Sequence, residues 1–116
     1  IELAGGDRIT SVITHESVEN LGLVIGQGAI VLVKASSVMV GTGEGKRQSL
    51  SARNQLTGKI SRVTPGAVNT EIVIGLSGGN TVAAIITNVA AKDLGLEVGL
   101  KALAIFKASS VIIGVT

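Results

Sequence analysis

The chain has 116 residues, no cysteine and a formal net charge of +2. That length allows one compact domain or two very small ones, and the missing cysteines exclude disulfides, thiolate metal sites and Cys nucleophiles. Hydrophobic residues make up 46% of the chain but aromatics only 1%, with Phe106 the one ring besides His15. The core has to be built from Val, Ile, Leu and Ala, whose modest area per residue favours burial between subunits and predicts a homo-oligomer.

Lys and Arg are dispersed, with no run longer than Lys46-Arg47. Nucleic-acid binding draws on a clustered basic face and stacking aromatics, so direct nucleic-acid contact is not expected. The apolar runs are short and broken by Gly or charge, and no signal peptide is visible. The expectation is a soluble, cytoplasmic protein without a membrane partner.

In chain order the first feature is a repeat. Laid on itself at an offset of 73 residues, Ile1–Thr42 matches Ile74–Val115 without a gap, with about 17 of 42 positions identical. Gly5-Gly6 falls on Gly78-Gly79, Thr14 on Thr87, Leu21-Gly22-Leu23 on Leu94-Gly95-Leu96, and Lys34 to Val38 on Lys107 to Val111. The second copy extends upstream to Ser51 through a segment with no counterpart before Ile1. The first copy is therefore expected to lack its opening strands, either because the chain is a fragment or because another subunit supplies them. The absence of an initiator Met favours the fragment.

Residues 1–42 read as a first, incomplete module. Residues 43–50, Gly-rich and charged, read as a linker, and 51–116 as a second, complete module. Within that module a loosely alternating strand over Asn54–Val63 meets a turn at Thr64–Ala67. A strand over Asn69–Leu76 follows, then a hairpin turn at Ser77–Asn80 and a β-branched strand over Thr81–Thr87. Thr87 is placed to cap a short helix over Asn88–Leu94, which Gly95 ends in a left-handed conformation. Strands over Ala102–Lys107 and Val111–Val115 complete the module. Five short strands with one short helix predict an all-β, OB-like five-stranded barrel in tandem modules, a fold that names no ligand.

Few side chains offer chemistry. His15 has no second His, and the carboxylates sit mostly in turns or helices, so no catalytic dyad and no side-chain metal site emerges. Gly41 to Arg47 resembles a phosphate loop superficially, but Lys46 is followed by Arg47 instead of Ser or Thr and no helix signal comes next. What remains is a repeated set of hydroxyls and cations. Ser51-Ala52-Arg53-Asn54 opens the second copy, and Thr14 to Ser17 and Thr87 to Ala90 open the two helices. Lys34-Ala35-Ser36 and Lys107-Ala108-Ser109 lie at the turns between the last two strands. Backbone N–H groups, hydroxyls and cations together suit an oxyanion, although each residue taken singly also serves as a cap or a solvated strand end.

Ser51-Ala52-Arg53-Asn54, Gly58, Gly66 to Glu71 and Lys107 to Ile112 together resemble the Mop (molbindin) domain family, over essentially the whole chain. The resemblance implies an OB-like fold and non-catalytic binding of molybdate or tungstate. Sites in that family form at subunit interfaces, where the Ser-Ala-Arg-Asn segment of one module faces the Thr-x-x-Ser and Lys-Ala segments of another. By resemblance the oxyanion would be held by Ser51, Ala52, Arg53, Thr14, Ser17, Lys34, Ala35 and Ser36, and more weakly by Thr87, Lys107, Ala108 and Ser109. Ala90 stands where Ser17 stands in the first copy, so the second helix lacks one hydroxyl. Two roles are open on this reading: intracellular molybdate storage, or the sensing C-terminal part of a molybdate-responsive transcriptional regulator.

Overall fold

The computed structural model describes residues 1–44 and 46–116; Gly45, within the expected linker and the loop Gly41 to Arg47, lies outside the described residues. Local signals act as their chemistry dictates. Thr14 Oγ1 accepts the Ser17 N–H at 3.1 Å to start α1 (His15–Leu21), and Gly22 ends it at φ +63°. The second copy repeats the device: Thr87 Oγ1 accepts the Ala90 N–H at 3.1 Å to start α2 (Asn88–Asp93), with Gly95 again at φ +63°. Both caps satisfy a helix-end donor that would otherwise lack a partner.

Among the described residues seven strands accompany the helices: β1 (Ala29–Val33), β2 (Met39–Gly41), β3 (Asn54–Pro65), β4 (Asn69–Gly75), β5 (Thr81–Thr87), β6 (Lys101–Phe106) and β7 (Val111–Val115). β4 alternates buried and half-buried residues, with Ile72 and Ile74 inward, as a strand with one core face must. Single 3-10 turns, Ala35–Ser37 and Ala108–Ser110, separate β1 from β2 and β6 from β7.

The pairing differs from the expectation in one respect. The five-stranded sheet has the order β2-β6-β3-β4-β5, all antiparallel, while β1 pairs with β7 in a separate two-stranded ladder. The second copy's last strand does not close its own sheet; the first copy's last strand takes that place. The exchange is reciprocal and in one register. Shifting the pair Ala29↔Val115 by the 73-residue offset gives Ala102↔Thr42, one rung beyond Gly41↔Leu103. The 3-10 turns are therefore crossovers that send each chain segment to the other copy.

One core results. Ile9 and Val38 from the first copy pack in the same buried cluster as Ile60, Ile72, Ile74, Phe106 and Val111 from the second. Val38 and Val111 are repeat counterparts, each the first residue past its crossover, and both are buried. Removing several such side chains from water at about 25 cal/mol per Å² favours keeping the copies interlocked.

Two further junctions bind the copies. At the start of β3, Asn54 Oδ1 accepts the Thr10 N–H at 2.7 Å and its Nδ2 donates to the Thr10 C=O at 2.8 Å, so a buried side-chain amide stands in for a strand partner. At the opposite end the tight turns meet. A Cβ on Gly5 would lie 2.5 Å from the Ser77 carbonyl carbon and one on Gly78 would collide with the Ala4 carbonyl oxygen. Both glycines also hold positive φ, so no side chain is tolerated at either.

Next to that contact the symmetry breaks. Asn80 Nδ2 donates to the Ala4 C=O at 2.8 Å, whereas its counterpart is Asp7, whose buried Oδ2 has no hydrogen-bond partner. The counterpart of Ala4 is Ser77, so an amide at position 7 is placed to donate to the Ser77 C=O. Asp7→Asn is expected to stabilise the fold by about 1 kcal/mol, read as a raised thermal midpoint; a lowered midpoint would refute the symmetric pairing. Conversely, Asn54→Ala strands both polar groups of Thr10 and should cost about 2 kcal/mol in a denaturant titration, with faster hydrogen exchange at the Thr10 amide. Unaltered exchange at Thr10 would show that the clamp contributes nothing.

Candidate functional site

The Ser51–Arg53 segment is fixed by what surrounds it. Ala52 is buried against Leu103 and Ile105, which leaves Ser51 and Arg53 exposed on either side of it. Behind it, Asn54 is clamped to Thr10, and Gln55 makes a second clamp of the same kind. Its Oε1 accepts the Gln48 N–H at 2.7 Å, and its Nε2 donates to the Gln48 C=O at 2.9 Å and the Ala52 C=O at 3.3 Å. Arg47 Nη2 adds a bond to the Arg53 C=O at 3.4 Å. Two successive amides thus hold the start of β3 between the first copy and residues 46–48, and the Ser51 and Arg53 side chains stay exposed to meet a ligand.

The crossover turn of the second copy adjoins this segment. Asn54 pairs with Phe106 in the β3–β6 ladder, which sets Ser51–Arg53 beside Lys107-Ala108-Ser109. The first copy reaches the same place: the Val12 N–H donates to the Ala108 C=O at 3.1 Å, and Ser11 Oγ to the Val111 C=O at 3.4 Å. Two residues beyond Val12 comes Thr14. The structure therefore brings together Ser51, Ala52 and Arg53, the Lys107–Ser109 turn, and the segment that delivers Thr14 and Ser17. The turn bearing Lys34, Ala35 and Ser36 packs instead against β5, which delivers Thr87. Each crossover turn thus lies against the segment leading into the other copy's helix.

The hydroxyls are partly committed. Thr14 Oγ1, besides capping α1, lies 3.0 Å from Ser17 Oγ in a Thr-to-Ser hydrogen bond, so the proton left for a ligand is that of Ser17. At α2 the counterpart of Ser17 is Ala90, and the Thr87 proton itself is left over. Asn88 after it is tied down, donating to the Gly66 C=O at 2.9 Å and accepting from the buried Thr70 hydroxyl at 2.5 Å.

The site carries three cations, with Glu16 in the first turn of α1 the nearby carboxylate in sequence. Lys34, Arg53 and Lys107 are exposed, and among the described residues the one ion pair is Arg62–Glu71 at 2.8 Å, on the β3–β4 hairpin. No group of three His, Cys, Asp or Glu side chains is placed to hold a metal ion among the described residues. Hydroxyls, backbone amides and unpaired cations can gather around an oxyanion. Sequence reasoning did not single out Asn54, Gln55, Gln48 or Thr10 as positioning residues. The signal available was two adjacent amides, Asn54 and Gln55, at the head of a strand, where buried amides need partners of their own.

The TOBE domain family matches residues 1–40 and 50–113. The chain is 44% identical over 115 residues to the molybdenum transport protein ModE of Azotobacter vinelandii and 42% identical over 113 residues to the molybdenum-pterin-binding protein MopA of Rhodobacter capsulatus. These alignments cover 99% and 97% of the chain but 42% of each relative, so the chain spans less than half their length. A probable molybdenum-pterin-binding protein of Haemophilus influenzae, 47% identical over 66 residues, is matched over 96% of its own length by 57% of the chain, as a single unit of a tandem should be. Among solved structures, the cytoplasmic molybdate-binding protein ModG in its molybdate-bound form superposes with a TM-score of 0.90 at 41% identity, covering 97% of the chain and 79% of ModG. By this profile and these likenesses, the chain belongs to the TOBE domain family, in the tandem form of its Mop-type, OB-like members.

Proposed function

We propose that the chain binds molybdate, or tungstate, as an intact tetrahedral dianion without any catalytic step, and serves its storage or homeostasis in the cytoplasm. One observation carries this reading: Arg53 and Lys107 stand exposed, without a carboxylate partner among the described residues, on two backbone segments that the β3–β6 ladder sets side by side. An unpaired guanidinium and ammonium on fixed backbone supply charge-assisted bonds without a large ordering cost. Ser51, Ala52, Ser109 and Ala108 supply hydroxyls and backbone amides beside them, with Thr14 and Ser17 at the end of the adjoining strand. Lys34, Ala35, Ser36 and Thr87 form the counterpart half. The likeness to molybdate-bound ModG supports the choice of ligand.

Residues 1–42 and 51–116 act as two modules on this reading, and subunits of a homo-oligomer complete the sites between them. Exposed Val12, Val24, Ile25, Val68, Val89 and Ile112 provide apolar surface for such contacts. A second role for the same oxyanion site, the sensing portion of a molybdate-responsive transcriptional regulator, draws on the likeness to a molybdenum transport protein. Among the described residues, no helix is long and apolar enough to cross a membrane.

Isothermal titration of the purified chain with molybdate, tungstate, sulfate and phosphate tests the ligand. Heat with the first two and little with the others is expected, and no heat with any of the four would end the proposal. Arg53→Ala and Lys34→Ala should each lower molybdate affinity about tenfold or more, the worth of a charge-assisted hydrogen bond, while leaving the oligomeric state unchanged. Equal affinity in both variants would place the site elsewhere.

A further inference from the structure

The longest basic run in the chain, Lys46-Arg47, lies in the segment that joins the two copies, and hydrogen bonds hold that segment on both sides of Arg47. Before it, the Lys46 N–H donates to the Gly43 C=O at 3.4 Å, and the Lys46 C=O accepts from Gln48 Nε2 at 3.0 Å. After it, both backbone groups of Gln48 are taken by the Gln55 amide, and the Gln48 C=O also accepts the Leu50 N–H at 3.0 Å. A spacer that only had to span the copies could leave its backbone to water. Gln55, buried in β3, instead ties this one to a point two residues past Arg53.

The Arg47 side chain is placed as well. Its Nη2 donates to the Arg53 C=O at 3.4 Å, so the guanidinium lies against the peptide that joins Arg53 to Asn54. Asn54 faces Phe106 in the β3–β6 ladder, and Lys107 follows Phe106. The backbone that carries Arg53 and Lys107 and the head group of Arg47 thus meet at one place, and all three side chains are exposed. Like charges held together repel, and a carboxylate among them would offset the repulsion. Glu44, three residues before Arg47, and Glu16, in the first turn of α1, form no ion pair among the described residues. A guanidinium has five N–H donors in a planar fork suited to an oxyanion, and the Arg53 C=O accepts from one of its nitrogens.

We propose that Arg47 is a further anion-contacting residue of the oxyanion site, and that the charge it adds makes the site select a doubly over a singly charged tetrahedral anion. This role rests on the oxyanion reading of Ser51–Arg53 and Lys107, and names what that site discriminates. A second guanidinium attracts an anion in proportion to the anion's charge, whereas hydroxyls and backbone N–H groups serve either kind. The bonds on both sides of Arg47 lower the ordering cost of bringing a long side chain to a ligand. Perrhenate separates the two contributions, because it is a tetrahedral oxyanion of nearly the size of molybdate with one negative charge instead of two.

Isothermal titration of the full chain at low salt with molybdate and with perrhenate compares three variants. Arg47→Gln can still donate to the Arg53 C=O, Arg47→Lys keeps the charge, and Arg53→Ala tests the underlying site. Arg47→Gln should lower molybdate affinity about fivefold and perrhenate affinity about twofold, with the thermal midpoint of the ligand-free chain unmoved. Arg47→Lys should hold molybdate within about twofold of the unsubstituted chain, and the loss in Arg47→Gln should shrink as salt is raised. Equal losses for the two anions in Arg47→Gln, or Arg47→Lys binding no better than Arg47→Gln, overturn the proposal, because Arg47 would then only hold backbone. Unchanged affinity for both anions in Arg47→Gln beside a loss in Arg53→Ala also overturns it, and leaves the oxyanion site standing. No heat from molybdate with the unsubstituted chain overturns the oxyanion reading and the role of Arg47 together.

Discussion

The reciprocal exchange of last strands is the constraint from which the rest of the structure follows. β2 crosses to pair with β6 and β7 crosses to pair with β1, both in the register set by the 73-residue repeat. Neither copy can bury Val38 or Val111 without the other, and the aliphatic core that contains them is shared. For a chain with one Phe and no Trp or Tyr, joining two small cores into one is a direct answer to the scarcity of buried area.

The candidate site inherits its geometry from the same exchange. The crossover turns have to leave one copy and enter the other, and each carries a Lys-Ala-Ser sequence to the strand that leads into the opposite helix. Asn54 and Gln55 then fix Ser51–Arg53 beside the second turn with side-chain amides that mimic strand pairing. The backbone around the exposed cations is thereby set by bonds that no ligand has to form. The cations themselves lack carboxylate partners among the described residues, so an anion need not displace an existing pair.

Features written locally were legible in the sequence. Thr14 and Thr87 cap the helices, Gly22 and Gly95 end them, and β4, β5 and β7 lie close to where alternation put them, because each depends on residues within a few positions of itself. Strand partnership was not legible. The copies present similar edges at a constant offset, so hydrophobic pattern and register are satisfied equally by β7 on β6 or by β7 on β1. The crossover direction of the turns decides, and a Lys-Ala-Ser-Ser-Val segment reads the same in a hairpin as in a crossover. For the same reason the sequence could name Lys34 and Lys107 as candidates but could not say that Lys107 adjoins Ser51–Arg53 while Lys34 lies against β5. The clamp of Asn54 on Thr10 spans 44 residues and leaves no local trace beyond an amide at the head of a strand.

The pairing of β1 with β7 also governs when the chain can fold. Val33 meets Val111 and Ala29 meets Val115, partners 78 and 86 residues further along the chain. A ribosome delivers residues in order, so β1 emerges with its partner still unmade and must wait, its apolar face uncovered, until β7 has followed it. Helices α1 and α2 are too short to persist alone, and the ladders that interlock the copies are long-range contacts of the slow-forming kind. The first copy is therefore the earlier made and the later finished, and its exposed aliphatic strand is the segment most in need of shelter during synthesis.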